Sequence, residues 1–174
     1  AAGPSPTCGP YGRVENATIS GNNATGGQCG GVHITGRAEL YSVTIKDNAG
    51  SGTYTALGGN TRFRSAVLVN ASGVNCGSDG SGQISNDGGN HVTDTTCGPQ
   101  FTTVGANPML GSLSTDPVNG TFFHLPLPGS PLLNGGTNCL PRDQIGALRL
   151  DACDIGAIEA NGLQPRVYLT TLSR

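Results

Sequence analysis

The sequence predicts an all-β solenoid, in which short strands stack in successive coils of one domain. The first observation is an internal repeat, since residues 30–48 and residues 52–70 align at a shift of twenty-two positions. The second is that both copies end in asparagine, at Asn48 and Asn70. The third is composition, because 29 Gly residues and many Asn and Thr residues separate short β-branched segments. A repeat of this length with turn residues at its corners is typical of a solenoid coil.

The repeat predicts which residues stack from coil to coil. Residues 14–22 match residues 40–48 and supply an earlier, partial copy. Alternation with a period of two marks the positions that face the core. The aligned pairs are Val32 with Tyr54, Leu40 with Arg62 beside Phe63, and Ile45 with Val67. The predicted inward residues are Ala17, Ile19, Val43, Ile45, Ser65, Val67 and Val69.

The chain divides into four segments. Residues 1–13 are rich in Pro and Gly and are expected to be irregular, and residues 14–98 carry the coils. Residues 99–160 are expected to form a cap of the same domain, because their prolines exclude continuous central strands and a solenoid needs a cover over its last coil. Residues 161–174 form the terminal strand or tail. Strands are predicted at 14–20, 31–35, 38–46, 53–57, 62–69, Gln83–Ser85, His91–Thr93 and Val167, Tyr168 and Leu169.

Three asparagines close equivalent strands, at Asn22, Asn48 and Asn70. Asparagine tolerates the left-handed backbone conformation that a sharp corner requires. Stacked side-chain amides also form hydrogen-bonded ladders along a solenoid. We therefore predict a turn ladder with a purely structural role.

The six cysteines predict disulfides and an oxidising compartment. Sequential pairing closes loops of similar size, and the closely spaced pairs that zinc sites use do not occur. The predicted pairs are Cys8–Cys29, Cys76–Cys97 and Cys139–Cys153.

Two parts of the sequence resemble known surface proteins. The coil segments GGVHI and LYSVTIKDN are similar to the consensus of secreted bacterial right-handed parallel β-helix proteins. Downstream, NPML at 107–110, LPGSP at 127–131, Cys139 to Gly146 and CDIGAIE at 153–159 follow in the order of the "choice-of-anchor Q" domain. This resemblance covers about residues 14–160. It implies a right-handed parallel β-helix, secretion and surface display, and it implies no defined catalytic site. Two departures from the pattern are LNGG at 133–136 and Ile145.

Charge and hydropathy exclude two classes of partner. The formal net charge is −2 and the basic residues are scattered, whereas nucleic-acid binding requires a clustered basic face. No apolar run is long enough to span a membrane. The sequence therefore predicts neither nucleic-acid binding nor a membrane span.

Catalysis on polysaccharides would require converging carboxylates. The predicted outward pairs are neutral or singly charged, and Glu39 and Asp47 face neutral counterparts. Arg37 and Arg62 are placed near Glu39, where a surface ion pair is the simpler interpretation. We therefore predict no catalytic residues. The outward pairs are His33 with Thr55, Thr44 with Ala66 and Lys46 with Leu68, and the counterparts of Glu39 and Asp47 are Thr61 and Val69.

Metal and cofactor binding is not predicted. Residues 79–82 and 86–90 offer oxygen ligands in Gly-rich loops, which leaves a structural calcium ion as a weak alternative. The three histidines, His33, His91 and His124, show no ligand spacing. The C-terminal carboxylates are expected to bind backbone N–H groups of irregular loops. They are Asp143, Asp151, Asp154 and Glu159. Four N-x-[ST] sequences begin at Asn16, Asn23, Asn70 and Asn119, and the sequence does not decide whether they are glycosylated.

The sequence thus predicts a non-enzymatic extracellular or cell-surface module with a structural or adhesive role. An unpaired apolar edge at Val14–Ile19 is expected to accept another β-segment, and the terminal strand is its candidate donor for head-to-tail fibres. The alternative is a carbohydrate-binding or carbohydrate-active β-helix with a cell-surface polysaccharide as its partner, for which Tyr41 and Tyr54 are the aromatic candidates. A fragment of a larger autotransporter-like passenger remains a third interpretation.

Overall fold

A computed structural model defines the fold. It describes residues 11–24, 29–56, 58–70, 73–101, 106–149 and 152–160. The predicted pair Cys8–Cys29 and the terminal strand at Val167, Tyr168 and Leu169 involve residues outside these ranges. Asp151 lies outside them as well.

The described residues form eleven short strands and no α-helix. In chain order they are β1 (Tyr11–Ser20), β2 (Cys29–Ile34), β3 (Arg37–Lys46), β4 (Ser51–Thr55), β5 (Asn60–Arg64), β6 (Val67–Val69), β7 (Cys76–Ser78), β8 (Gln83–Asn86), β9 (His91–Val92), β10 (Leu110–Thr115) and β11 (Phe122–Pro126).

The first nine strands wind into stacked parallel coils, about three turns in all. Strands β2, β4 and β7 stack as one parallel sheet. In the larger sheet β1 pairs with β3, the first half of β3 with β5 and its second half with β6. Strands β8 and β9 then extend β5 and β6. The predicted all-β solenoid is therefore confirmed.

A left-handed residue bends each coil between two of its faces. Asn16, Ser42 and Ser65 have φ angles of 46°, 51° and 47°, and Gly88 follows with 99°. Strand pairing skips Asn16 and Ser42 and resumes at Ala17. Because an L-residue adopts this conformation only at a cost, its recurrence marks a corner that the coil geometry imposes.

The register differs from the predicted one by one residue in places. Leu40 pairs with Phe63 instead of Arg62, and Val32 pairs with Thr53 instead of Tyr54. Ile45 pairs with Leu68 instead of Val67. Burial explains the difference, because a one-residue slip moves side chains to the other face of a strand. The earlier copy was aligned correctly, since Val14 pairs with Leu40 and Ile19 with Ile45.

The same slip corrects the predicted inward set. Ala66 and Leu68 belong to the core that Val43 and Ile45 form, whereas Val67 belongs to a second cluster outside the coil. The predicted inward triplet Ser65, Val67 and Val69 was therefore wrong. The predicted outward pairs change in consequence, since the partners are His33 with Tyr54, Thr44 with Val67 and Lys46 with Val69.

A short segment after β9 closes one end of the core. Cys97 and Phe101 are almost fully buried and pack in the central cluster. The Phe101 ring meets the Phe63 ring edge-on at 5.9 Å between centroids, and the Gln100 amide donates to the Ile84 carbonyl at 2.9 Å. The segment that contains Cys97 and Phe101 thus covers the last coil.

The C-terminal segment covers the side of the solenoid, which differs from the predicted end cap. Strands β10 and β11 form an antiparallel hairpin, and Leu132 and Ile155 pack on Val67 in the second cluster. The Ala157 N–H donates to the Thr44 hydroxyl at 3.0 Å. The physical reason is that Val67 points outward from its coil, so it needs an apolar partner on that face.

Candidate functional site: the charged face of the solenoid

The predicted asparagines are hydrogen-bonded from coil to coil. The Asn22 N–H donates to the Asn48 side-chain oxygen at 3.1 Å, and the Asn48 N–H donates to that of Asn70 at 2.9 Å. Asn75 continues the series by accepting from the Asn70 N–H at 2.9 Å. None of these four asparagines has a positive φ, whereas Asp47 has one of 54°. The amides therefore serve as backbone acceptors, and the left-handed conformation expected of them was wrong.

Two disulfides close as predicted, Cys76–Cys97 and Cys139–Cys153. The first joins β7 to the segment that closes the core, and the second joins two loops of the C-terminal segment. Cys29 has no disulfide partner within the described ranges, and burial raises the pKa of its thiol. Two disulfides indicate an oxidising compartment.

The outer surface of β1, β3, β5 and β8 carries a dense set of charged and aromatic side chains, which we call the charged face. It arises because alternate residues of a strand point outward while their neighbours enter the core, as Ala38 and Leu40 do in β3. Its members are Tyr11, Arg13, Glu15, Arg37, Glu39, Tyr41, Arg62, Arg64 and Asp87.

Carboxylates and guanidinium groups alternate across the coils of the charged face. Glu39 lies between Arg13 and Arg62, with an N–O distance of 3.7 Å to each. Asp87 lies 2.7 Å from Arg62 and 3.6 Å from Arg64. Each pair joins different elements of the stack, so the network links neighbouring coils. The groups are partly exposed to water, which limits what each pair contributes to stability.

Both tyrosines of the charged face contact arginines. Tyr41 is only 6% exposed, and the guanidinium carbons of Arg13 and Arg64 lie 5.2 Å and 5.1 Å from its ring centroid. Tyr11 is 54% exposed and Arg37 lies 5.9 Å from its ring. A hydrogen bond to the Glu39 carboxylate raises the pKa of Tyr11, because it favours the protonated phenol. Cation–π contacts of this kind hold flat side chains in fixed positions.

Some of the residues that the sequence analysis considered for binding or catalysis are in contact in the structure, and others lie on different faces. Arg62 contacts Glu39 as predicted, whereas Arg37 stacks on Tyr11. Tyr54 lies on another face, where its ring meets that of His33 at 5.4 Å. Sequence reasoning missed five members of the charged face, and the correct register would have revealed four of them at alternate positions of the paired strands. These four are Tyr11, Arg13, Glu15 and Arg64, and the fifth is Asp87, which follows β8.

The C-terminal carboxylates bind backbone groups. Asp143 accepts three backbone N–H bonds at 3.0, 2.7 and 3.0 Å, and Asp154 accepts two at 2.7 Å. Glu159 pairs with Arg149 at 3.3 Å, and both side chains are 1% exposed. Burial raises the pKa of Glu159 and lowers that of Arg149. These groups organise irregular loops, the role expected from the sequence.

The residues considered as metal ligands have other partners. Asn86 accepts from the Gly88 N–H at 2.8 Å and from the Asn90 amide at 2.6 Å, and the Ser81 hydroxyl donates to Asp79 at 2.9 Å. In the part of the chain that the structure describes, no three His, Cys, Asp or Glu side chains are grouped as metal ligands.

The described part of the chain is thus a parallel β-solenoid with two disulfides and an ion-paired face. Comparison with protein-family models gave no match, and neither the curated proteins nor the solved structures gave one. Among the described residues no helix has the length and hydrophobicity that crossing a membrane requires.

Proposed function

We propose that this protein is a structural or adhesive module of an extracellular surface. The observation that carries the proposal is the charged face, where Glu39 and Asp87 are each held by two arginines. Carboxylates held in this way provide a rigid binding surface, whereas a glycosidase needs one proton donor and one base. The resemblance of the C-terminal motifs to surface-display domains and the two disulfides support secretion.

The test of this role is adhesion of the native, unreduced protein to surfaces. The protein would be coated on beads and presented to polysaccharide-covered and bare surfaces in rising salt. If the charged face mediates adhesion, fewer beads should adhere when Arg37 and Arg62 are both changed to Ala. Arg142→Ala is the matched control, because it removes one exposed guanidinium from the C-terminal segment. If beads coated with the double variant adhere as well as beads coated with Arg142→Ala, the role assigned to this face is overturned.

A second candidate is carbohydrate binding, and the exposed ring of Tyr11 favours it. This ring is more than half exposed, and the adjacent Arg37 and Glu39 offer hydrogen-bond donors and acceptors. Sugar rings stack on aromatic side chains, while polar groups beside the ring set their orientation. A glycan array with the wild type and Tyr11→Ala tests this candidate. Specific signals that persist in the variant would exclude Tyr11 as the stacking platform.

Head-to-tail assembly remains part of the proposal. Within the described residues β1 pairs on one side only, with β3, while Phe101 and Cys97 cover the opposite end of the core. The coils of two molecules therefore do not stack directly on the end that Phe101 and Cys97 cover. Assembly would instead require a strand of one molecule to pair with the free edge of β1 in the next. The segment at Val167, Tyr168 and Leu169 is the proposed donor.

Light scattering and electron microscopy of the unreduced protein test the assembly. Large regular particles are expected for the wild type, and Tyr168→Asp with Leu169→Asp should yield monomers that keep their fold. A monomeric wild type, or particles that survive the double change, would contradict strand donation.

A further inference from the structure

A cleft lies between the first coil and the β10–β11 hairpin, away from the charged face. Its volume is about 360 Å³. The side chains of Leu113 and Phe122 are 48% and 59% exposed, and they form an apolar wall opposite the polar end of β1. The lining residues are Thr18, Ile19, Ser20, Asn22, Leu113 and Phe122.

A serine that lines this cleft is hydrogen-bonded to a buried histidine. Ser20 Oγ lies 2.8 Å from Nε2 of His124, and Nδ1 of His124 lies 2.8 Å from the Gly111 carbonyl oxygen. A carbonyl only accepts, so Nδ1 carries the proton and Nε2 of the neutral ring is an acceptor. The Ser20 hydroxyl therefore donates to Nε2.

The surroundings of His124 favour the neutral ring. The residue is 4% exposed, and desolvation is the main cause that lowers the pKa of its imidazole. The hydrogen bond to the Gly111 carbonyl and the nearby Asp47 raise this pKa and Lys46 lowers it, and desolvation outweighs the groups that raise it. An unprotonated imidazole that accepts a hydrogen bond from a serine is the arrangement of a general base and its nucleophile. The Gly111 carbonyl is the third group, which orients the base.

The cleft also has fixed walls and hydrogen-bond donors. Gln144 accepts from the Thr18 hydroxyl at 2.6 Å and donates to the Phe122 carbonyl at 3.1 Å, which ties the hairpin to β1. Asn22 contributes an amide with two N–H groups, one of which bonds Asn48 at 2.9 Å. Lys46 is the strand neighbour of Ser20, and its ammonium group is paired with the Asp47 carboxylate. The second N–H group of the Asn22 amide is therefore the lining donor assigned to the negative oxygen that forms when an ester is attacked.

From this geometry we propose that Ser20 and His124 form an acyl-transfer dyad that hydrolyses short-chain carboxylic esters. Ser20 Oγ bonds to the acyl carbon while its proton moves to Nε2 of His124. The bond to the alcohol oxygen then breaks, and Nε2 gives that proton to the departing alcohol. Water attacks the acyl-serine, His124 takes a proton from it, and the acid leaves as Ser20 regains its proton. This activity is independent of the structural or adhesive role.

The experiment uses the unreduced full chain with a fluorophosphonate probe and p-nitrophenyl acetate. Mass spectrometry of digested protein should place the probe on Ser20, and Ser20→Ala should lower ester hydrolysis about a hundredfold. Ser114→Ala is the matched control, because Ser114 is exposed on the same hairpin, and it should behave as the wild type. Heat-unfolded wild type should not be labelled.

The pH profile separates a base from a structural partner. Hydrolysis should rise with pH through the pKa of His124, below the ordinary value of 6.5, because only the neutral ring accepts the proton. Lys46 and Asp47 are the charged groups that face this ring. If folded wild type takes up no probe at Ser20, or hydrolyses the ester no faster than Ser20→Ala, the dyad is overturned. Probe mapping on the wild type alone decides the case even if the variant fails to fold.

Discussion

Ser65 and Thr137 exchange a reciprocal pair of hydrogen bonds through one hydroxyl group. The Ser65 hydroxyl donates to the Thr137 carbonyl at 3.0 Å and accepts from the Thr137 N–H at 2.9 Å. Ser65 is also a left-handed corner, with a φ of 47°. One residue thus bends the coil between β5 and β6 and attaches the C-terminal segment to its outer side.

We predict that Ser65→Ala lowers the free energy of unfolding by about 2 kcal/mol, because two part-buried hydrogen bonds to Thr137 are lost. Ser65→Gly should lose less, since glycine removes the cost of the left-handed conformation, about 1 kcal/mol. Urea unfolding with intact disulfides measures both values. A glycine variant less stable than the alanine variant would show that backbone strain at this corner is negligible.

The asparagine ladder predicts a large effect for Asn48→Ala. Asn48 is fully buried. Its side-chain oxygen accepts from the backbone N–H and the side-chain amide of Asn22, and its amide donates to the Ile19 carbonyl at 2.9 Å. The change leaves the part-buried Asn22 N–H and Ile19 carbonyl without these partners, so stability should fall by about 2 kcal/mol. Asn60→Ala is the control, since the amide of Asn60 bonds Gln83 in an exposed position, and it should cost less than about 1 kcal/mol. Equal losses in urea unfolding would argue against the ladder.

Glu39 controls the titration of Tyr11 across two strands. A hydrogen bond from the Tyr11 hydroxyl to Glu39 is the largest cause of the raised pKa of that tyrosine. Glu39→Gln should therefore return the pKa towards its ordinary value of 10.0. Nuclear magnetic resonance of labelled tyrosine rings follows this titration. In Glu15→Gln, which leaves Glu39 in place, the Tyr11 curve should not move, and a shift of equal size there would point to a general charge effect.

Two buried histidines predict a loss of stability in weak acid. Burial lowers the pKa of His91 and His124 below the ordinary value of 6.5. Between the lowered pKa values of the folded state and the ordinary value, the unfolded chain binds more protons than the folded chain. The free energy of unfolding therefore falls as pH decreases through about 6.5. Lys46 and Asp47 are the charged groups that act on His124.

Urea unfolding between about pH 7.5 and pH 5.5 measures this slope. His124→Gln should reduce it, because glutamine does not titrate and retains a hydrogen-bonding amide. A slope unchanged by this substitution would assign the pH dependence to other groups.

Short-range patterns predicted much of the fold. Alternation in β3 placed Val43 and Ile45 inside, and this was correct because a buried strand face needs apolar residues at every second position. The matching of 14–22 with 40–48 was correct for the same reason. The sequential pairing of Cys76 with Cys97 and of Cys139 with Cys153 was confirmed as well.

The candidate sites depend on contacts that a linear pattern does not encode. The contact of Arg62 with Glu39 was predicted, but a shift of one residue in the register placed Arg62 opposite Leu40, which hid the contact of Arg62 with Asp87. The ladder asparagines were recognised, but Asn16, Ser42 and Ser65 were not recognised as corners. Serine at a left-handed position gives no strong local signal, because only the stacking of neighbouring coils stabilises that conformation.

The sequence by itself determined the repeat, the apolar faces of β1 and β3 and two cysteine pairs, Cys76–Cys97 and Cys139–Cys153, since these depend on periodicity and on spacing along the chain. Tertiary structure decided which face the C-terminal segment covers. It brought Ser20 to His124 and Ser65 to Thr137, pairs far apart in sequence. The reason is that an outward apolar residue such as Val67 is buried only by a distant segment, and the position of that segment is set by packing of the whole chain.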